Sequence, residues 1–376
     1  MKILVLKETD KYEKRVAISP EVTKKLIEMG FDVLVEKDAG KESGMVDDAY
    51  EAAGAKIVKD AKTMLPEADI IPHVAPISIE ELQGTKENVI LMSLLKPYSN
   101  QELLKKLANH KVTSIALEMI PRISRAQAMD VLSSQSNLAG YKAVVDAASE
   151  YGRAMPLMMT AAGTIAPARV LVIGAGVAGL QAIATARRLG SIVSAFDVRA
   201  VAKEQVESLG ANFVEVESTE TGDGSGGYAK EMSDEYKQRQ SEKLASVIKT
   251  QDIIITTAQI PGKKAPILIT ADMAKSMRPG SIIVDLAVES GGNCELAEFG
   301  KTVVKNGVKI IGHANILSSI AQDASQVFAK NVLNLLKIMM NKGGNAVELN
   351  FEDEIIKGAC LTHGGSIIHP GFGEKI

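Results

Sequence analysis

The run Val170-Leu-Val-Ile-Gly174-Ala-Gly176-Val-Ala-Gly179 places four apolar residues directly ahead of three glycines spaced G-x-G-x-x-G, and an alanine-rich stretch, Leu180 to Leu189, follows. Strand, glycine turn and helix in that order form the fingerprint of a dinucleotide-binding unit. Gly174 permits the tight turn, Gly176 lets backbone approach a pyrophosphate, and Gly179 lets helix and strand pack closely. Phosphate oxygens then meet free helix amides, so the whole turn, Gly174, Ala175, Gly176, Val177, Ala178 and Gly179, reads as cofactor-binding. Asp197, 23 residues after Gly174, ends the next apolar run. A carboxylate there accepts hydrogen bonds from an adenosine ribose diol and repels a 2′-phosphate, which selects NAD over NADP. Val198 and Arg199 follow it, and an arginine at that point can in principle hold a 2′-phosphate.

Working outward, strands are expected near Ile192 to Phe196, Phe213 to Val216, Ile253 to Thr257, Ser281 to Leu286 and Val308 to Gly312, which with Val170 to Ile173 gives the strand count of a nucleotide fold. Thr257, Ala258 and Gln259 follow one strand, and Leu286 and Glu289 follow another, so both loops are expected to line the cofactor crevice. The first third alternates strands (Lys2 to Lys7, Asp32 to Val35, Asp69 to Val74, Val89 to Leu95, Thr113 to Met119) with amphipathic helices such as Pro20 to Met29. The spacing predicts a linking helix over Ser133 to Ser149 and a long helix within Ser318 to Met340 that returns to the first domain. The expected fold is α/β: two Rossmann-like domains with parallel sheets, the first discontinuous (1–130 plus 315–376), the second spanning 131–314, with a cleft between them. Glycine-rich sequence around Thr221 to Tyr228 predicts a mobile loop over about 217–232, with Tyr228 as a candidate lid residue.

At 376 residues the chain exceeds a single core, and 46% apolar with 24% charged residues is ordinary globular composition. A formal charge of -3 without a basic block argues against nucleic-acid binding. Cys294 and Cys360 form no metal-ligand spacing, the five histidines are scattered, and no metal site is expected. The N-terminus lacks a signal-peptide core, and the uncharged run Ala154 to Ala168 is interrupted by Pro156, Gly163 and Pro167, so neither export nor a membrane span is expected. His313 follows a strand and suits either the nicotinamide side of the cleft or a packing role.

Before the linking helix lies Pro121-Arg-Ile-Ser-Arg-Ala-Gln127-Ala-Met-Asp130-Val-Leu-Ser133-Ser-Gln-Ser-Asn137. Arg122, Gln127, Asp130 and Ser133 offer donors and acceptors suited to a carboxamide and a ribose, and equally to capping and interdomain hydrogen bonds. This segment through Lys142, with Thr160 to Gly163, the glycine turn, Gly226 to Glu231 and Val284 to Cys294, resembles the NAD(H)-binding domain I of proton-translocating nicotinamide nucleotide transhydrogenases. The resemblance implies contacts from Arg122, Gln127, Asp130 and Ser133 to the nicotinamide end, a lid role for Tyr228 and a ribose role for Asp197. It also implies a homodimer working with a proton-conducting membrane domain II and an NADP(H)-binding domain III on other chains, at the cytoplasmic face of the membrane.

The architecture also resembles alanine dehydrogenase, whose family uses an arginine, a lysine, a histidine and an aspartate. Arg15 matches the arginine, but Val74 or Ala75 falls where the lysine is expected, Leu94 or its neighbour where the histidine is, and Glu289 where the aspartate is. Hydride exchange between two nicotinamides takes no proton from either ring, so the residues present suit that reaction better than amino-acid oxidation. The chain carries one glycine fingerprint, so the NADP(H) partner is expected on another domain.

Overall fold

A computed structural model describes residues 1–217, 220, 222–224, 230, 232–260, 262–341, 343–344 and 346–373. The chain divides into two compact units, Met1–Gln135 with Leu317–Ile376, and Ser136–Ile316.

In the first unit the strands are β1 (Lys2–Val5), β2 (Asp32–Glu36), β3 (Lys56–Val58), β4 (Ile70–Pro72), β5 (Ile90–Ser93) and β6 (Thr113–Ala116). Among the described residues they form an eight-stranded sheet ordered Ser366–Ile367, Cys360–His363, β6, β5, β4, β1, β2, β3. β1 to β6 pair in parallel, whereas Cys360–His363 runs antiparallel to β6, so C-terminal residues complete a sheet begun at the N-terminus. Strand alternation feeds both faces. Ile3, Val5, Ile70 and Ile115 join Phe328, Val332 and Leu336 of the long helix Ala321–Met339, while Leu4, Ile71 and Leu91 join Leu103, Leu104 and Leu107 of the helix Gln101–Asn109. The helix Pro20–Glu28 starts as its sequence dictates, with Ser19 accepting the Val22 N–H and Pro20 in the first turn.

The second unit opens with a hairpin of β7 (Met158–Thr160) and β8 (Gly163–Ile165), both exposed along their length. The hairpin takes up most of the uncharged segment that follows Pro156. The main sheet of this unit holds β9 (Arg169–Ile173), β10 (Ile192–Phe196), β11 (Asn212–Phe213), β12 (Ile253–Thr256), β13 (Ile282–Asp285), β14 (Lys301–Lys305) and β15 (Val308–Gly312), ordered β11-β10-β9-β12-β13-β15-β14. The strand expected over Phe213 to Val216 is only Asn212–Phe213, and β14 is an antiparallel edge strand absent from the expectation of parallel sheets. Asn306 and Gly307, at φ 50° and 76°, make the tight turn between β14 and β15, a sequence signal for a hairpin.

Successive strands from β9 step one way to β10 and β11, then the chain returns to place β12 and β13 on the other side of β9. The order therefore reverses between β9 and β12, and ligands of open α/β sheets bind outside the carboxyl ends of the strands at such a reversal. Gly174 and Thr257 are the residues that leave those two strand ends.

Candidate functional site

Gly174 leaves β9 at φ 98°, a conformation open to glycine, and its carbonyl accepts the Thr257 hydroxyl at 3.0 Å. A Cβ on Gly179 would stand 1.8 Å from the Gly174 oxygen, so the third glycine is what lets the helix Val177–Arg188 begin this close to the strand. Gly176 differs: a Cβ there would meet nothing within 4 Å. The chain leaves open space beside the helix N-terminus, as a backbone built for close approach by a phosphate requires. A buried Ala175 and a partly exposed Val177 complete the turn, and the Ala178 carbonyl abuts Gly140 of the helix Val131–Glu150.

Asp197, directly after β10, is tied into this turn. Its Oδ2 accepts the Ala175 N–H at 2.7 Å and Nη2 of Arg199 at 2.8 Å, and its Oδ1 accepts the Arg199 N–H at 2.8 Å and Nε at 2.9 Å. Val198 takes the Gly222 N–H on its carbonyl. The hydrogen bond to Asp197 raises the Arg199 pKa above its ordinary value.

The two lining loops are joined by Asn293, a residue that no motif in the sequence singles out. Its carboxamide accepts the Ala258 N–H at 3.0 Å and donates to the Ala258 and Pro266 carbonyls at 2.9 and 2.8 Å. Asp285 in turn accepts the Ala287, Asn293 and Cys294 N–H groups, and burial pushes its carboxyl above the ordinary range although those amides oppose the shift. Gln259 donates to the Leu286 carbonyl at 3.1 Å, and Glu289 is exposed in the short turn Val288–Ser290. The available signal was an asparagine directly after paired glycines, Gly291-Gly292-Asn293, following a strand.

Within the first unit, Arg122, Gln127, Asp130 and Ser133 line one pocket of about 370 Å³ together with Pro121, Ile123, Ser124 and Ala126. Asp130 caps the helix Val131–Glu150, accepting the Ser133 N–H at 2.8 Å and its hydroxyl at 2.5 Å. Other members of the same polar run are structural. Arg125 makes a two-pronged pair with Asp353 at 2.7 Å on each arm, Ser134 donates to Asn331 at 2.7 Å, and Gln135 accepts from Arg15 at 2.8 Å. The choice between ligand contacts and structural hydrogen bonds thus divides residue by residue.

Arg15 is buried and balanced by its neighbour: Glu13 accepts its Nε at 2.8 Å and its Nη2 at 2.7 Å. In the second unit, Nε2 of His313 lies 3.0 Å from Oδ2 of Asp146, one turn from Lys142 on the same helix. Burial raises the Asp146 pKa, but the contacts with His313 and Lys142 outweigh it and hold the carboxyl below its ordinary value. Burial pushes the Cys294 and Cys360 thiols up to about 11 and about 12, so both are inert core thiols. Tyr228 lies outside the described residues.

Comparison with known proteins follows the same division. Residues 4–139 match the family model "Alanine dehydrogenase/PNT, N-terminal domain", and residues 143–370 match "Alanine dehydrogenase/PNT, C-terminal domain". The chain is 53% identical over 379 aligned positions to an NAD(P) transhydrogenase subunit alpha chain of Rhodospirillum rubrum, covering 99% of each chain. It is 30% identical over 381 positions to an alanine dehydrogenase of Halomonas elongata, covering 100% of this chain and 96% of that one. A solved transhydrogenase structure from Sinorhizobium meliloti superposes with a TM-score of 0.89 at 49% identity, covering 98% of this chain and 100% of that chain. The chain belongs to the alanine dehydrogenase/PNT family and, within it, to the alpha subunits of NAD(P) transhydrogenase.

Proposed function

We propose that this subunit holds NAD(H) on its glycine turn and presents the nicotinamide to NADP(H) carried by a partner domain III, with hydride exchange coupled to proton movement through a membrane domain II. The observation that carries the reading is the open space at Gly176 beside the paired Asp197, at the point where the strand order reverses. Bound NADH supplies the hydride. The turn amides of Gly174 to Gly179 hold the pyrophosphate, and Asp197 with Val198 and Arg199 forms the adenosine end. Thr257, Ala258, Gln259, Leu286 and Glu289 line the crevice, and Asn293 keeps both loops in register. Arg122, Gln127, Asp130 and Ser133 orient the carboxamide and ribose at the nicotinamide end, and Tyr228 closes over them.

No proton-transfer residue is required of this chain, which agrees with an Arg15 already engaged by Glu13. Its work is to fix the ring and exclude water, the two conditions for direct transfer at about 3 to 3.5 Å. The subunit acts as a homodimer peripheral to the cytoplasmic face of the membrane. The hairpin β7–β8, whose Met158, Met159 and Ile165 are exposed, supports an apolar contact with a second copy. Titration of the purified chain with NADH and with NADPH tests the binding half: saturable NADH binding at least tenfold tighter than NADPH is expected, and equal affinities contradict it.

A further inference from the structure

We propose that Arg199 is a built-in competitor for the ribose carboxylate, so that a dinucleotide must displace its guanidinium from Asp197. The inference rests on the reading that Asp197 receives the adenosine ribose. A carboxylate offers about four acceptor positions, and four hydrogen bonds already reach Asp197: two from the Ala175 and Arg199 amides and two from the Arg199 side chain. A ribose diol brings two O–H donors. The amides are fixed where β9 and β10 end, whereas the guanidinium turns about its own side-chain bonds, so the side chain is the partner that leaves.

The exchange has a physical rationale in both states. The Asp197 side chain is 7% exposed and that of Arg199 14%. Without nucleotide the arginine spares a nearly buried carboxylate from standing unpaired. With nucleotide the ribose hydroxyls take over that duty, and the released guanidinium retains a second anion nearby. Asp197 first, and Asp223 more weakly, raise its pKa. Asp223 follows Gly222, whose N–H donates to the Val198 carbonyl at 2.9 Å, so this second anion is held next to the ribose turn. Arg199 thereby sets part of the affinity of the site by opposing it, and leaves the nicotinamide end untouched.

The test is the Kd of NADH for the full chain, Arg199→Ala and Arg199→Gln, with reduced nicotinamide mononucleotide as a probe that lacks the adenosine ribose. Both variants are expected to bind NADH about tenfold tighter, as loss of a pair of competing charge-assisted hydrogen bonds implies, and to bind the mononucleotide as the unsubstituted chain does. NADH binding by a folded variant that is equal to or weaker than that of the unsubstituted chain overturns the proposal. Arg199→Gln keeps a polar side chain in place should Arg199→Ala fail to fold. Absence of NADH binding by the unsubstituted chain would instead remove the ribose reading itself, and with it the inference.

Discussion

Gly140, midway along the helix Val131–Glu150, lies so close to Ala178 that a Cβ on it would stand 2.0 Å from the Ala178 carbonyl oxygen. A mid-helix glycine replaced by alanine ordinarily gains about 1 kcal/mol. Here backbone meets backbone, so no rotamer change relieves the contact, and Gly140→Ala is expected to cost roughly 1 to 3 kcal/mol as an overpacking change. Because Ala178 belongs to the glycine turn, NADH affinity should fall as well. Denaturant unfolding and NADH titration read both effects; an unchanged midpoint with an unchanged Kd contradicts the packing argument.

Glu13 is expected to be essential to the first unit for a reason separate from chemistry. Removing it leaves the buried Arg15 without its carboxylate, and breaking one side of a buried pair costs about 3 to 5 kcal/mol. Glu13→Ala should therefore lower the unfolding midpoint sharply. A loss below about 1 kcal/mol, the range of exposed pairs, would show that Arg15 is balanced elsewhere.

Gln127 is exposed on the pocket that Asp130 and Ser133 line, so its replacement has little to disturb. Gln127→Ala should change stability by no more than about 0.5 kcal/mol while slowing hydride transfer roughly tenfold or more through loss of ring orientation. Asp130→Asn should show both effects, because the same carboxylate caps the helix. Stopped-flow transfer rates beside thermal unfolding separate the two, and a Gln127→Ala rate equal to that of the unsubstituted chain removes Gln127 from the nicotinamide site.

Asp146 gives the pH dependence a defined sign. Its carboxyl is held below the ordinary value in the folded chain, so its contribution to stability is in place above about pH 4 and is lost as the pH falls toward the folded value. Asp146→Asn should cost about 1 kcal/mol near neutrality and flatten the loss of stability on acidification. Urea midpoints measured between about pH 3 and 7, the window that spans ordinary carboxylate titration, check this, and parallel curves for the two chains would contradict it.

What the sequence revealed and what it hid follow one physical distinction. The turn Gly174 to Gly179, the acid Asp197 and the strand Val308–Gly312 are specified by neighbours within a few residues, so spacing and residue type sufficed. Gly140 and Asn293 matter because of Ala178 and Ala258, partners that only the folded chain brings near, and no local pattern announces them. Arg125 stands in the same polar run as the candidate ligand residues, and only Asp353, 228 positions away, accounts for it. The edge strand β14 is legible in principle from Asn306-Gly307, a hairpin signal masked by a surrounding pattern that suggests parallel strands throughout.

The central claim is that this chain delivers hydride from NADH to a nucleotide held by another domain. It is tested most directly by mixing the purified chain with a purified NADP(H)-binding domain III, NADH and an oxidised NADP analogue, and following reduction of the analogue by absorbance. Rapid reduction that requires both proteins, with no reduction of NAD⁺ by alanine in the presence of this chain alone, is the predicted result. Reduction of NAD⁺ by alanine on the isolated chain, with no transfer to the analogue when the partner is added, would contradict the account.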